Sequence, residues 1–385
     1  MRTLALVPGG ISDQFLFFPT LSNLQRLYPN AHIDVITEPR SVGAYRVCRD
    51  AEKATAFDFG DRNSLADWGN LLGVMREKEY DAVISLNNSW GIGLMLWLTG
   101  IPNRIAYEGP ANPFLTQTVA KQPGQYKADM FHDLLQGLDI HSPCPALSIS
   151  VPRKDIEWAE TEQKRLGLGS GGYILIDGRT ESGDPKDSYP LNSWKLALQE
   201  ILERQPGTPI VVVQEEGHSL AQELVDAGLA VKATEPTDVG KLAAMIAAAN
   251  LLVSTHQAAL HLAVAVETFS IGLFGTTDPK NVLPKNDKFV GLSANTGDAK
   301  NIEPQKILET LMGGRLGWPL SSGFEPLCPK VFFQGLFLSS LFFELLFLGP
   351  SGILRFGFGP SLGQAGLACP LPGCFHALKV VGELL

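Results

Sequence analysis

Residues 251–279 read LLVSTHQAALHLAVAVETFSIGLFGTTDP. An apolar run (251–255) ends in a polar turn, a helical pattern follows (258–266), and a second apolar run (269–274) leads into another polar turn. Strands that are apolar on both faces, each followed by a helix, belong to parallel sheets covered on both sides. The same alternation extends in both directions. Upstream, apolar runs at 3–7, 32–37, 54–59, 81–86 and 104–107 alternate with helical patterns at 13–27, 65–78 and 91–98. Nearer the quoted stretch, runs at 173–177, 210–214 and 230–233 alternate with patterns at 156–166, 193–204, 219–227 and 239–249. A strand at 289–292 and a helix at 304–312 follow it. The expected fold is α/β, with two doubly wound, Rossmann-like halves facing a central cleft. HSPCPALSISVPRKD (141–155), with three prolines, reads as the linker, so the halves are set at 1–150 and 151–318. No internal repeat or heptad run is evident.

The chain has 385 residues, enough for two domains. At 45% hydrophobic and 18% charged it is globular. A net charge of −9 argues against nucleic acid as a partner held by a basic surface. Cys48, Cys144, Cys328, Cys369 and Cys374 are too few and too scattered for a disulfide scaffold, which fits a reducing cytosol. The opening MRTLALVPGG reads as a buried first strand rather than a signal peptide.

Beyond residue 318 the composition breaks. Residues 319–385 carry few charges (Glu325, Lys330, Glu344, Arg355, Lys379 and Glu383) and half of the chain's 20 phenylalanines. Three readings stand. VFFQGLFLSSLFFELLFL (331–348) is about as long as a minimal membrane span, although Glu344 is costly inside one. Alternatively the tail is an extra subdomain, or a disordered low-charge segment in a reading frame foreign to the rest of the chain.

Two places in the chain carry chemistry. PGGISD (8–13) ends the first strand and opens a helix. Glycines there permit a tight turn and close ligand approach. Asp13 reads either as a first-turn carboxylate favoured by the helix dipole or as a general base facing the cleft. In the second half, the free N–H groups of a helix beginning near Gln257, Ala258 and Ala259 suit a diphosphate. His261 has no second His or Cys on its helix face, so no metal site follows.

Four blocks together resemble the heptosyltransferase-type glycosyltransferases, glycosyltransferase family nine, whose fold is the two-domain GT-B. They are VPGGISDQFLFFPTLSNLQRLYPNAHIDVIT (7–37); YDAVISLNNSW with GIPNRIAYEG (80–109); YILIDG with YPLNSWKLALQEI (173–201); and LVSTHQAALHLAVAV with GLFGTTDP (252–279). The resemblance covers residues 1–315. It implies inverting, metal-independent transfer of a heptose-like sugar from a nucleotide-diphosphate donor to a lipopolysaccharide-type or other glycan acceptor, with no cofactor. The setting it implies is cytoplasmic, with room for peripheral contact on the inner face of the plasma membrane.

Carried over by position, the resemblance makes Asp13 the general base. Lys186, His256, Gln257, Ala258, His261, Thr276 and Thr277 fall on the donor side, with Glu215 or Glu216 holding the ribose. Gly10, Ser12 and Arg104 fall on the acceptor side. Ser12 stands where the family has Gly, and Thr276 where it has Pro. His256 stands where the family has Asp, and Gln257 and Ala258 replace its Thr/Ser-Gly or Ser-Ala pair. The change at 256 exchanges an acceptor-only carboxylate for an imidazole. If it cripples the loop, His256→Asp with Gln257→Ser tightens nucleotide binding; if it sets a cation beside the phosphates, the same reversion weakens it. A catalytically impaired homologue that still binds nucleotide is therefore an alternative. A GT-B sugar-nucleotide epimerase is a second, which nothing in the donor region favours.

Overall fold

The computed structural model describes residues 1–312, apart from 61, 62, 170, 182 and 216–218. The tail at 319–385 and Glu216 therefore lie outside the described residues. The first half holds β1 (Arg2–Val7), α1 (Ile11–Leu27), β2 (His32–Thr37), β3 (Lys53–Ala56), α2 (Leu65–Arg76), β4 (Ala82–Ser85), α3 (Trp90–Thr99), β5 (Asn103–Tyr107), β6 (Gln117–Val119) and α4 (Lys127–His132). The second holds α5 (Arg153–Arg165), β7 (Ile174–Asp177), α6 (Leu191–Arg204), β8 (Ile210–Val213), α7 (Leu220–Asp226), β9 (Val231–Thr234), α8 (Val239–Ala248), β10 (Leu251–Ser254), α9 (Gln257–Ala265), β11 (Ser270–Phe274), α10 (Pro279–Val282), β12 (Phe289–Ser293) and α11 (Pro304–Met312).

Every strand pair is parallel. The first sheet runs β3-β2-β1-β4-β5-β6 and the second β12-β11-β10-β7-β8-β9. Read from the opposite edge, the second repeats the order of the first. In each, the direction of winding reverses between the first and fourth strands: β1 and β4, then β7 and β10. Such switch points open a crevice beyond the carboxyl ends of the strands.

Burial on both faces follows the two-residue period of the strands. On β1, Leu4 and Leu6 join the outer cluster of the first half, which also holds Leu71, Met75 and Leu96. On β7 and β10, Ile174, Ile176, Leu251 and Val253 join the outer cluster of the second, closed by Trp194, Leu308 and Leu311. Residues of the opposite faces, Ala5, Val7, Leu175 and Leu252, fall in one central cluster with α1, α4, α8 and α9. The two sheets thus share a core and belong to one compact unit. Arg46 reinforces the junction. Its guanidinium donates to Asp155, which is 1% exposed, and lies 3.4 Å from Asp238.

Three elements escape the sequence reading, among them the four-residue α10 in what reads as a polar turn. β6 is a three-residue edge strand with exposed Gln117 and Thr118, so it lacks the apolar run that marks its neighbours. The six-residue α4 is too short to show a helical period. The proline-rich stretch at 141–152 is irregular, and α5 begins at Arg153.

Candidate functional site

The two switch points carry the charged residues. At the first, β1 ends at Val7 and the chain turns through Pro8, Gly9 and Gly10 into α1. Gly9 has φ +118°, and a Cβ there would overlap the Asp13 carboxylate. Asp13 Oδ2 accepts the Gly10 N–H at 3.2 Å, which is the capping role open to a first-turn carboxylate. Oδ1 lies 3.9 Å from Lys127 Nζ on α4. Burial raises the Asp13 carboxyl above the ordinary aspartate value. Lys127 is the main charge opposing that rise, and Glu181 adds to it.

Glu181 comes from the loop after β7, in the other half. It accepts the Ser12 N–H at 3.2 Å and also the Ser12 hydroxyl. Ser12, 7% exposed, falls on the acceptor side by the resemblance. Its hydroxyl instead binds the second half.

At the second switch point Asp177 ends β7, with no exposed surface. Arg179 grips it from Nε at 2.9 Å and Nη2 at 2.7 Å, and gives Nη1 to Glu215 Oε2 at 2.9 Å. His256 Nδ1 lies 3.4 Å from Asp177 Oδ2. Burial alone would raise the Asp177 carboxyl, but Arg179 and His256 hold it well below the usual carboxylate range. Thr255 ties the two loops by donating its hydroxyl to the Arg179 carbonyl at 2.7 Å. A carboxylate from the neighbouring strand β7 thus stands beside position 256.

His256 is also the N-cap residue of α9, and its side chain makes no capping hydrogen bond to that helix. Gln257 Nε2 donates to Thr277 Oγ1 at 3.1 Å, joining the first residue of α9 to the 275–278 turn. Asp187 Oδ1 accepts the Thr276 N–H at 2.9 Å and its hydroxyl at 3.3 Å. The Lys186 carbonyl packs where a side chain on Gly275 would stand. Gln257, Thr276, Thr277 and the Lys186 backbone thus meet around one turn. Ala258 is buried behind it.

Two assigned residues stand apart. Arg104 is the second residue of β5, away from the strand's carboxyl end. Its guanidinium donates to the Phe114 carbonyl at 2.8 Å and to that of Ile101 at 2.5 Å, so it secures a loop rather than facing an acceptor. His261 is fully buried on α9, and both ring nitrogens lack hydrogen-bond partners among the described residues. Burial, with Lys127 and His256 nearby, depresses its pKa to about 3. It offers no atom to a ligand in this arrangement. A cleft of about 1330 Å³ opens elsewhere, between Tyr126, Cys144, Leu283 and Phe289, and none of the assigned residues line it.

Sequence reasoning passed over Asp177, Arg179 and Glu181. The signal was available: DGRTE (177–181) sets charges at the carboxyl end of a buried strand, where such sheets bind ligands. Nothing in the sequence marks Lys127, since its relation to Asp13 depends on α4 packing against α1.

The comparisons agree with this architecture. The family model described as glycosyltransferase family 9 (heptosyltransferase) matches residues 68–312. An Arabidopsis thaliana protein named photosynthetic NDH subunit of subcomplex B 1, chloroplastic, is 25% identical over 305 residues, 72% of this chain. The match spans 65% of that protein, less than two thirds of its length. Lipopolysaccharide heptosyltransferase 3 of Escherichia coli is 24% identical over 69% of this chain and 81% of its own. Among solved structures, the E. coli ADP-heptose LPS heptosyltransferase II superposes with a TM-score of 0.66 at 20% identity, over 82% of this chain and 99% of that one. A family 9 glycosyltransferase from Veillonella parvula gives 0.71 at 16% identity, over 82% and 97%.

Proposed function

From the premise that the chain belongs to glycosyltransferase family 9, the heptosyltransferases, we propose that it transfers a sugar from a nucleotide-diphosphate donor to a glycan or lipid-linked acceptor, inverting the anomeric centre without a metal. Residues 1–150 take the acceptor and 151–318 the donor. One observation carries the reading: Asp13, at the switch point of the first sheet, adjoins the Glu181 loop that follows the switch strand of the second.

In the proposed step the acceptor hydroxyl gives its proton to Asp13 as its oxygen bonds to the anomeric carbon. The bond from that carbon to the diphosphate breaks, and the diphosphate leaves with the electron pair. Its charge is met by the first turn of α9, by Gln257 and Thr277, and by the Lys186 ammonium. Among the described residues no helix is long and apolar enough to cross a membrane. The reading places a lipid-linked acceptor at a peripheral contact on the inner face of the plasma membrane.

A second reading is a homologue that keeps the fold and binds nucleotide without turnover. What favours it is that polar groups on both sides of the site already have partners within the chain: Ser12 with Glu181, and Glu215 with Arg179. The name of the Arabidopsis relative, a subunit of a larger assembly, agrees with that reading.

One assay separates the two. Purified protein is given a panel of nucleotide-diphosphate sugars, with and without lipopolysaccharide core acceptors, while calorimetry follows nucleoside diphosphate binding. Acceptor-dependent loss of donor supports transfer. Binding without turnover on any donor supports the second reading, and no binding of any nucleotide refutes both.

A further inference from the structure

Lys127 lies in a segment to which the sequence reading assigned neither structure nor role. It is the first residue of α4, and the helix behind it is firmly held. Ala128, Met130 and Phe131 are buried in the shared core, and the Phe131 ring lies 6.4 Å from that of Phe17 on α1. The Met130 carbonyl accepts the Tyr107 hydroxyl at 2.6 Å. This anchoring fixes where the Lys127 side chain starts. Its ammonium ends 3.9 Å from Asp13 Oδ1, with 37% of the side chain exposed. The same charge also disfavours protonation of His261 in α9.

Resting on the reading of Asp13 as base, we propose that Lys127 is a positioning residue that keeps Asp13 as a carboxylate aimed at the acceptor, ready to take its proton. The chemistry creates the need. A base must be ionised when the hydroxyl arrives, yet Asp13 is partly buried, with 30% of its side chain exposed, and desolvation favours its neutral form. Glu181, from the loop after β7, adds a like charge with the same effect. Two groups besides Lys127 work in the other direction: the Gly10 N–H on its own turn, and Arg40 from the 3-10 helix Pro39–Val47. Arg40 is exposed, and its charge is screened by water. Lys127 is the larger of the two cationic contributions. Because the ammonium remains partly open to solvent, it holds the carboxylate without sealing it from substrate.

The test needs one reading that does not depend on turnover. Asp13 is titrated through its carboxyl-carbon NMR signal in the full-length wild type, Lys127→Met and Lys127→Arg proteins. The pH profile of kcat/KM is recorded on the same three. Lys127→Met is expected to raise the Asp13 midpoint by about one pH unit, and to move the acid limb of the profile up by the same amount. Lys127→Arg keeps the charge and returns both to the wild-type position. The melting temperature follows neither change. A midpoint that stays in place in Lys127→Met overturns the inference about Lys127. A midpoint that moves while the acid limb does not overturns the assignment of Asp13 as base. The two failures are thus told apart.

Discussion

Ser12 and Glu181, 169 positions apart, bind each other across the two halves: the Ser12 amide reaches Glu181 Oε1 at 3.2 Å, and its hydroxyl meets Oε2. The resemblance expects glycine at position 12, so the hydroxyl bond is one that the usual residue cannot make. A carboxylate at this spot also completes the start of α1, where the dipole favours negative charge. Glu181→Gln removes the charge and weakens both bonds. Unfolding free energy should fall by about 1 kcal/mol, the net worth of a partly buried hydrogen bond. The Asp13 midpoint should move down, because a neighbouring negative charge has gone. This is opposite in sign to the Lys127→Met effect. Denaturant melts and the same carboxyl titration check both; an upward shift would mean that Glu181 is not the charge Asp13 feels.

Asp13→Asn retains an oxygen for the Gly10 N–H, so the turn into α1 should hold and stability should change little. It removes basicity. The expected loss in kcat is about 10²–10⁴-fold, with nucleoside diphosphate affinity nearly unchanged. A variant that keeps its full rate leaves Asp13 with only its capping role.

His256→Asp, which the resemblance suggested as a restoring change, acquires a cost from the tertiary structure. The new carboxylate would stand where an imidazole nitrogen is now 3.4 Å from the fully buried Asp177. Arg179 alone would then face two negative charges beside a third, Glu215. Destabilisation of on the order of 1–3 kcal/mol is expected, with weaker rather than tighter nucleotide binding. His256→Asn keeps a polar neutral group and should be tolerated better. Urea denaturation of the two variants, with calorimetry on each, decides the matter. Tighter binding in the Asp variant would revive the restoring reading.

His261 gives the protein an acid-sensitive limb. Buried neutral, its pKa is pushed down to about 3, against about 6.5 in an unfolded chain. Between those values the unfolded state holds the extra proton. Stability therefore rises with pH across this window and is lost as pH falls through it, at up to about 1.4 kcal/mol per unit. His261→Leu removes that contribution. Between pH 7 and pH 5 the variant should lose about 2 kcal/mol less than the wild type. Denaturant titrations at the two pH values measure the difference. Equal losses would show that the imidazole is protonated in the folded protein.

The sequence by itself determined the architecture. Runs such as 4–7, 173–176 and 251–253 are apolar on both faces, as strands of a parallel sheet covered on both sides are. Boundaries fell within a few residues, because glycine, proline and polar turns end each run. Asp13 and the pair Gln257 and Thr277 were also within reach, since they sit in turns at the ends of such strands. What the sequence left open was partnership. β6 is a polar edge strand with no pattern to betray it, and the six-residue α4 spans fewer than two helical turns, too few to show a repeat. That the two halves wind alike appears in no internal repeat, because the strand order is a property of pairing and not of composition.

Only the tertiary structure decided which charges meet. Asp177, Arg179, Glu215 and His256 lie at the ends of three strands and converge because a parallel sheet aligns all its carboxyl ends along one edge. Ser12 finds Glu181, and Asp13 finds Lys127, through the docking of helices whose apolar faces form one shared core. Hydrophobic burial fixes that docking without regard to the charges at its rim. A residue's neighbours in the chain therefore carry no record of the partner across the cleft.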